Sequence, residues 1–127
     1  MKDPKGGNWW LDYGPGNTLG YWPSSLLTNL KDNADKIEFG GEIVNTKSTG
    51  SHTSTQMGSG HYAEEGFGKA SYVADMQVLD ADSKVMVSPN LQYFVASPNC
   101  YNIYEENSKQ DGKYLYYGGP GRNEKCT

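Results

Sequence analysis

Two stretches of this chain hold the residue types that do chemistry. Lys36-Ile-Glu-Phe-Gly-Gly-Glu-Ile-Val44 carries Glu38 and Glu42 around a Gly-Gly pair, and His52-Thr-Ser-Thr-Gln-Met-Gly-Ser-Gly-His61 carries both histidines and Gln56. A carboxylate serves hydrolysis as a general acid or base when it is held rigidly beside a gap that admits an extended peptide. Read as a strand, residues 36–44 turn Ile37, Phe39, Gly41 and Ile43 to one face and Glu38, Gly40, Glu42 and Val44 to the other. The Ile/Phe face is the core face. Glu42 then stands opposite it beside two glycines, which weaken a strand but let a second backbone come close. A solvent-facing glutamate on an ordinary amphipathic strand fits the same pattern.

The other candidate groups are weaker. His52 and His61 are the only histidines, and no His-x-x-x-His or Cys-x-x-Cys spacing accompanies them. A zinc centre needs a third ligand in set geometry, so no metal is assigned and a hydrogen-bonding role is the simpler expectation. Ser59 lies in Gly58-Ser59-Gly60 without the strand-to-helix elbow of serine hydrolases. Gly118-Gly119-Pro120-Gly121 matches a phosphate loop in glycine content alone and reads as a turn, since no Lys-Ser/Thr follows it. No cofactor is called for.

The elements that must position these groups are mostly strands. The chain has 127 residues, with Tyr (10), Gly (16) and Trp (3) plentiful, and aromatic and glycine enrichment favours an all-β fold. Trp9–Tyr13, Lys36–Val44, Lys69–Leu79, Leu91–Val95, Cys100–Tyr104 and Lys113–Tyr117 read as strands. Asp80–Lys84 reads as a turn, and residues 45–60 as a long hairpin loop or a polar strand. Apolar residues at 26, 27, 30 and 34 predict one short helix over Ser24–Ala34. No repeat is visible, and no linker suggests a second domain. An antiparallel β-sandwich with one short helix is the natural solution.

Charge and hydropathy exclude some partners. A net charge of −4 with no basic stripe makes nucleic acid an unsuitable partner, and no apolar run approaches the ~20 residues that span a bilayer. No apolar core follows Lys2, so the amino terminus is not a secretory signal. It runs at once into Gly6-Gly7-Asn8-Trp9-Trp10-Leu11, which reads like the interior of a fold and suggests a fragment. Cys100 and Cys126 lie in loop-like contexts. A bridge between them would close a loop of about 27 residues, worth on the order of 3 kcal/mol in the chain-entropy model; two free thiols fit the spacing equally well.

Taken together, the motifs resemble the neprosin-type domain of plant secreted proteins. The matching residues run through nearly the whole chain. They are Gly7-Asn8-Trp9-Trp10-Leu11, Gly20-Tyr21-Trp22-Pro23, Phe39-Gly40-Gly41-Glu42-Ile43, His52-Thr53, Thr55, Met57-Gly58-Ser59-Gly60-His61, Glu65-Gly66-Phe67-Gly68-Lys69-Ala70, Cys100-Tyr101 and Tyr116-Tyr117-Gly118-Gly119-Pro120-Gly121-Arg122-Asn123. The family favours Trp-Gly-Gly-Glu-Val where this chain has Phe39 and Ile43, an aromatic for an aromatic and a β-branched for a β-branched residue.

The resemblance implies a glutamic endopeptidase that cleaves next to proline, built as an antiparallel β-sandwich with a cleft. It implies two catalytic glutamates, the second of them on Gly-Gly-Glu and hence Glu42. The first is expected in an amino-terminal half of the domain that precedes residues 1–127. Glu38 would lie on Glu42's face about 7 Å along a strand, beside it rather than across a bound peptide. The resemblance also implies a secreted protein, a Cys100–Cys126 disulfide and a proline-containing peptide substrate. Gln56, His52 and His61 become candidates for substrate or transition-state hydrogen bonds, and Tyr21 and Trp22 for stacking on proline rings. A competing class is a non-catalytic module that holds proline-rich peptide or cell-wall glycan, and a third is an inactive fragment with unpaired strand edges.

Overall fold

In the computed structural model the described residues are 2–3, 5–45, 50–80, 82, 84–87, 91–108 and 112–127. They form two compact units, Met1–Glu38 and Phe39–Thr127. The class is all-β and antiparallel throughout, as the composition implies.

The first unit is a hairpin. β1 (Trp9–Asp12) pairs antiparallel with β2 (Thr18–Trp22), matching Trp9 to Trp22 and Trp10 to Tyr21. Tyr13 N–H donates to Asn17 O at 2.8 Å, and the Thr18 hydroxyl donates to Asp12 Oδ1 at 2.7 Å, which closes the turn. The helix expected over Ser24–Ala34 shrinks to a single 3-10 turn at Ser24–Leu26. Its apolar stripe is only half covered: Leu26 is 70% exposed and Leu30 39% exposed, while Leu27 and Ala34 are partly buried. A short helix without a fully packed face is marginal in water, and the Trp9 indole takes the Leu30 carbonyl at 2.9 Å. None of the described residues of this unit is fully buried.

The second unit contains a three-stranded sheet, ordered β3 (Ser71–Ala74), β7 (Gly112–Gly118) and β6 (Asn102–Ser108), with β7 central. The strand expected over Lys69–Leu79 is broken at Asp75, a non-glycine residue at φ 52°. Its second part, β4 (Gln77–Leu79), leaves the sheet to pair with β5 (Val85–Val87). The Asp80 carboxylate closes the turn between them by accepting from the Lys84 N–H at 2.9 Å. Leu91–Val95 forms no strand, with Phe94 82% exposed.

Two buried clusters anchor this unit. Ala63, Ala70 and Tyr116 form one, where a 3-10 turn at Ala63–Glu65 lies against β6 and β7. Cys100, Tyr101 and Cys126 form the other, with Ile43 and Met57 packed on it. Cys100 and Cys126 are joined in a disulfide, with 5.3 Å between their Cα atoms.

Residues 36–44 are not a strand. No described residue pairs with them, and Gly40 sits at φ 147°, outside the range of an L-residue strand. Ile37 is 53% exposed, so the proposed core face of Ile37, Phe39, Gly41 and Ile43 is not continuous. Glu38 and Glu42 therefore share neither a strand nor a unit.

Candidate functional site

The floor of the site is the end of β7. Gly119 O accepts from the Met57 N–H at 3.0 Å, and Thr53 O accepts from the Arg122 N–H at 2.9 Å. The Tyr101 hydroxyl donates to Thr55 O at 2.8 Å, and burial raises its pKa. The irregular His52–His61 segment is thereby laid along Gly118–Arg122 by backbone contacts rather than by a ladder. Such an approach needs Gly121: a Cβ there would stand 2.6 Å from Thr55 O, at a φ of 75° that side chains rarely adopt, and one at Gly118 would run into the His61 carbonyl. The glycine cluster read as a turn thus also serves as a bed for residues 52–61.

Gly41 rests on the same floor. A Cβ at Gly41 would lie 2.8 Å from both Met57 Cγ and Tyr117 Cε2. Ile43 packs on the disulfide cluster. The side-chain directions at residues 41 and 43 both point to the packed side, Gly41 itself staying exposed and Ile43 partly buried, and Glu42 between them is exposed to solvent. The alternation read from the sequence survives locally although the strand does not. Among the described residues the Glu42 carboxylate has no hydrogen-bond or ion-pair partner.

Gln56 precedes Met57 and is also exposed. Its side-chain amide lies over Gly60, where a Cβ would come within 2.7 Å of Gln56 Cδ. Glu42 and Gln56 are each one residue from the Gly41–Met57 contact.

The two histidines are occupied. His61 Nδ1 bonds Glu65 Oε2 at 2.9 Å, and Glu65 Oε1 accepts from the Tyr62 N–H at 3.1 Å. The His61 hydrogen bond is the main cause that holds the Glu65 carboxyl below its usual value, with Lys69 a lesser one at 3.7 Å. His52 packs edge-on to Tyr101, ring centroids 5.5 Å apart, with Nδ1 3.1 Å from Thr53 O. Its ring nitrogen and the two cysteine sulfurs all lie within 4.8 Å of one another. A hollow here is lined by His52, Asn99, Lys125 and Cys126 among others, and neither Glu42 nor Gln56 borders it.

Tyr21 and Trp22 belong to the first unit, where Tyr21 packs on Trp10 with centroids 4.7 Å apart and both candidates are about half exposed. The structure thus gathers Glu42, Gln56, His52 and His61 on one unit. Glu38, 75% exposed at its side chain, pairs with Lys36 in the other.

Sequence reasoning missed the seat itself, Met57 and Tyr117 beneath Gly41. The one available signal was a glycine pair beside a lone glutamate, which marks a close approach without naming what approaches.

A family model described as Neprosin matches residues 1–120, nearly the whole chain and both units. The chain belongs to the Neprosin family.

Proposed function

We propose that this chain supplies Glu42 as one of the two carboxylates of a glutamic endopeptidase that cleaves peptide bonds next to proline. The observation that carries this reading is the presentation of Glu42, exposed and unpartnered between two seated neighbours. Attack of water on a peptide carbonyl needs one group to take the water proton and another to protonate the leaving amine. Two carboxylates facing one another split their proton affinities and fill both roles, each contributing ~10²–10⁴-fold. Glu42 fills one of them. The partner acid comes, by the resemblance, from sequence amino-terminal to these residues, and the substrate is a proline-containing peptide. Gln56, whose amide has no other partner among the described residues, donates to the carbonyl oxygen. A secreted setting goes with this reading, since disulfides persist in oxidising compartments.

One observation favours a second reading, a non-catalytic module for proline-rich peptide or cell-wall glycan. The β1–β2 hairpin exposes Trp10, Tyr21 and Trp22 together, and flat aromatic faces stack on proline or sugar rings. Mass spectrometry of a proline-containing peptide incubated with a full-length family domain carrying these residues separates the two. Products ending at bonds beside proline support the peptidase. A peptide that is retained and recovered intact supports the module.

A further inference from the structure

Tyr101 ties together the two segments that carry Glu42 and Gln56. It is 5% exposed and lies with Cys100 and Cys126 in the buried cluster on which Ile43 and Met57 pack. Ile43 follows Glu42, and Met57 follows Gln56. The same ring meets His52 edge-on, with 5.5 Å between centroids, and its hydroxyl donates to Thr55 O at 2.8 Å across 46 residues of chain. Neighbours of both candidate groups therefore rest on one cluster. Tyr101 is itself well fixed. Its N–H donates to Ser97 O at 3.0 Å, the disulfide holds the residue before it, and β6 begins at the residue after it.

Residues 53–57 are pinned at alternate positions. The Arg122 N–H donates to Thr53 O at 2.9 Å, the Tyr101 hydroxyl to Thr55 O, and the Met57 N–H to Gly119 O at 3.0 Å. The outer two pins join backbone to backbone. The middle one comes from a side chain, at the residue directly before Gln56. A segment held only at 53 and 57 can bow at its middle, and a reacting group displaced by about 1 Å loses on the order of 10²-fold in rate.

We infer that Tyr101 is a positioning residue of this site: its hydroxyl fixes the Thr55–Gln56 peptide and so sets the Gln56 amide at the spacing from Glu42 at which both reach one scissile bond. This role rests on the reading of Glu42 and Gln56 given above. Tyr101 is buried and acts through the backbone beside Gln56, not on the substrate. Its ring holds the Glu42 side through the packing of Ile43 on the cluster, and its hydroxyl holds the Gln56 side. Mutation can separate the two, because Tyr101→Phe keeps the ring and removes only the hydroxyl.

The test uses a full-length family domain carrying these residues and a proline-containing fluorogenic peptide. Tyr101→Phe should lower kcat about 10- to 100-fold and leave KM within about twofold of wild type, because the geometry of the chemical step is lost and ground-state binding is not. Gln56→Ala alone should lower kcat as far or further. Adding Tyr101→Phe to Gln56→Ala should cost no more than about twofold, since a residue that acts through Gln56 then has nothing left to position. Amide exchange checks the fold. In Tyr101→Phe the amides of Gln56 and Met57 should exchange faster, while those of Leu115 and Tyr116 in β7 match wild type. If Glu42→Gln and Gln56→Ala lose activity but Tyr101→Phe keeps the wild-type kcat, the peptidase reading stands and the role of Tyr101 is overturned. Gln56→Ala at the wild-type rate overturns it too. So do additive losses in Tyr101→Phe/Gln56→Ala or faster exchange throughout β7, the results of a residue that merely stabilises the fold. A domain that cleaves nothing, or Glu42→Gln at near wild-type turnover, sinks the peptidase reading and this role with it.

Discussion

Gly41 is seated against Met57 so closely that a Cβ at residue 41 would stand 2.8 Å from Met57 Cγ. Tyr117 meets it at the same distance from the side. One methyl group therefore has nowhere to go unless residues 40–43 lift away from β7, and Glu42 lifts with them. Gly41→Ala should cost about 1–3 kcal/mol, the range for overpacking a close contact, read from the denaturant midpoint. Trimming the flexible neighbour in Gly41→Ala/Met57→Ala should recover part of the contact strain. Equal stability of wild type and Gly41→Ala would show that this seat is not close-packed.

The disulfide bears on the same segment from the other side, because Ile43 packs on the Cys100–Tyr101–Cys126 cluster. Cys100→Ser/Cys126→Ser should lose on the order of 3 kcal/mol for a loop of this length, from a bridge spanning 26 residues in sequence. Peptide mapping of oxidised protein without reductant should recover the two cysteine peptides joined. Free alkylation of both thiols under those conditions would contradict the structure.

Acid should act through Glu65. Its carboxyl is held below the usual value chiefly by the His61 hydrogen bond. A lowered folded-state pKa means that the contribution is complete above the ordinary glutamate range and is lost as pH falls through the lowered value. Glu65→Gln should therefore flatten the fall in stability between neutral and acid pH, with its largest effect on the neutral side. The pair is exposed, so the change is small. Unfolding midpoints of wild type and variant at neutral pH and well below the glutamate range measure it. A variant whose acid loss matches wild type would place the acid sensitivity elsewhere. Glu105, lowered mainly by its hydrogen bond from Lys113 at 3.1 Å, has the same sign and is the natural comparison.

Much of this was legible in the chain. The strands at Trp9 and Lys113 showed in aromatic runs with glycine nearby, the run Cys100–Tyr104 met β6 only at residues 102–104, and the Asp80–Lys84 turn showed in its short polar residues. What failed was every reading that depended on a partner surface. The 26, 27, 30, 34 stripe is a helix pattern only if something covers it, and Leu26 stays exposed. Residues 36–44 alternate as a strand does, yet no described residue offers them a ladder. The alternation still told the truth about Glu42, because Gly41 and Ile43 are seated by packing alone. The sequence also does not reveal that Glu65, four residues on, takes a ring nitrogen of His61.

Glu38 should be dispensable. It is exposed, paired with Lys36, and belongs to the other unit. Glu38→Gln in a full-length family domain should leave peptidase activity near wild type, and the 127-residue chain assayed alone should show no repeated turnover. Multiple turnovers by the isolated chain, abolished by Glu38→Gln, would make Glu38 the second acid.

The most direct test of the central claim is the turnover of a proline-containing fluorogenic peptide by a full-length family domain carrying these residues, with and without Glu42→Gln. The assay belongs at about pH 3, where one acid of a carboxylate pair stays protonated. Loss of one of the two carboxylates should lower kcat by ~10²–10⁴-fold, while the denaturant midpoint stays put because Glu42 is exposed and unpartnered among the described residues. A Glu42→Gln enzyme that turns over at close to the wild-type rate would contradict the account.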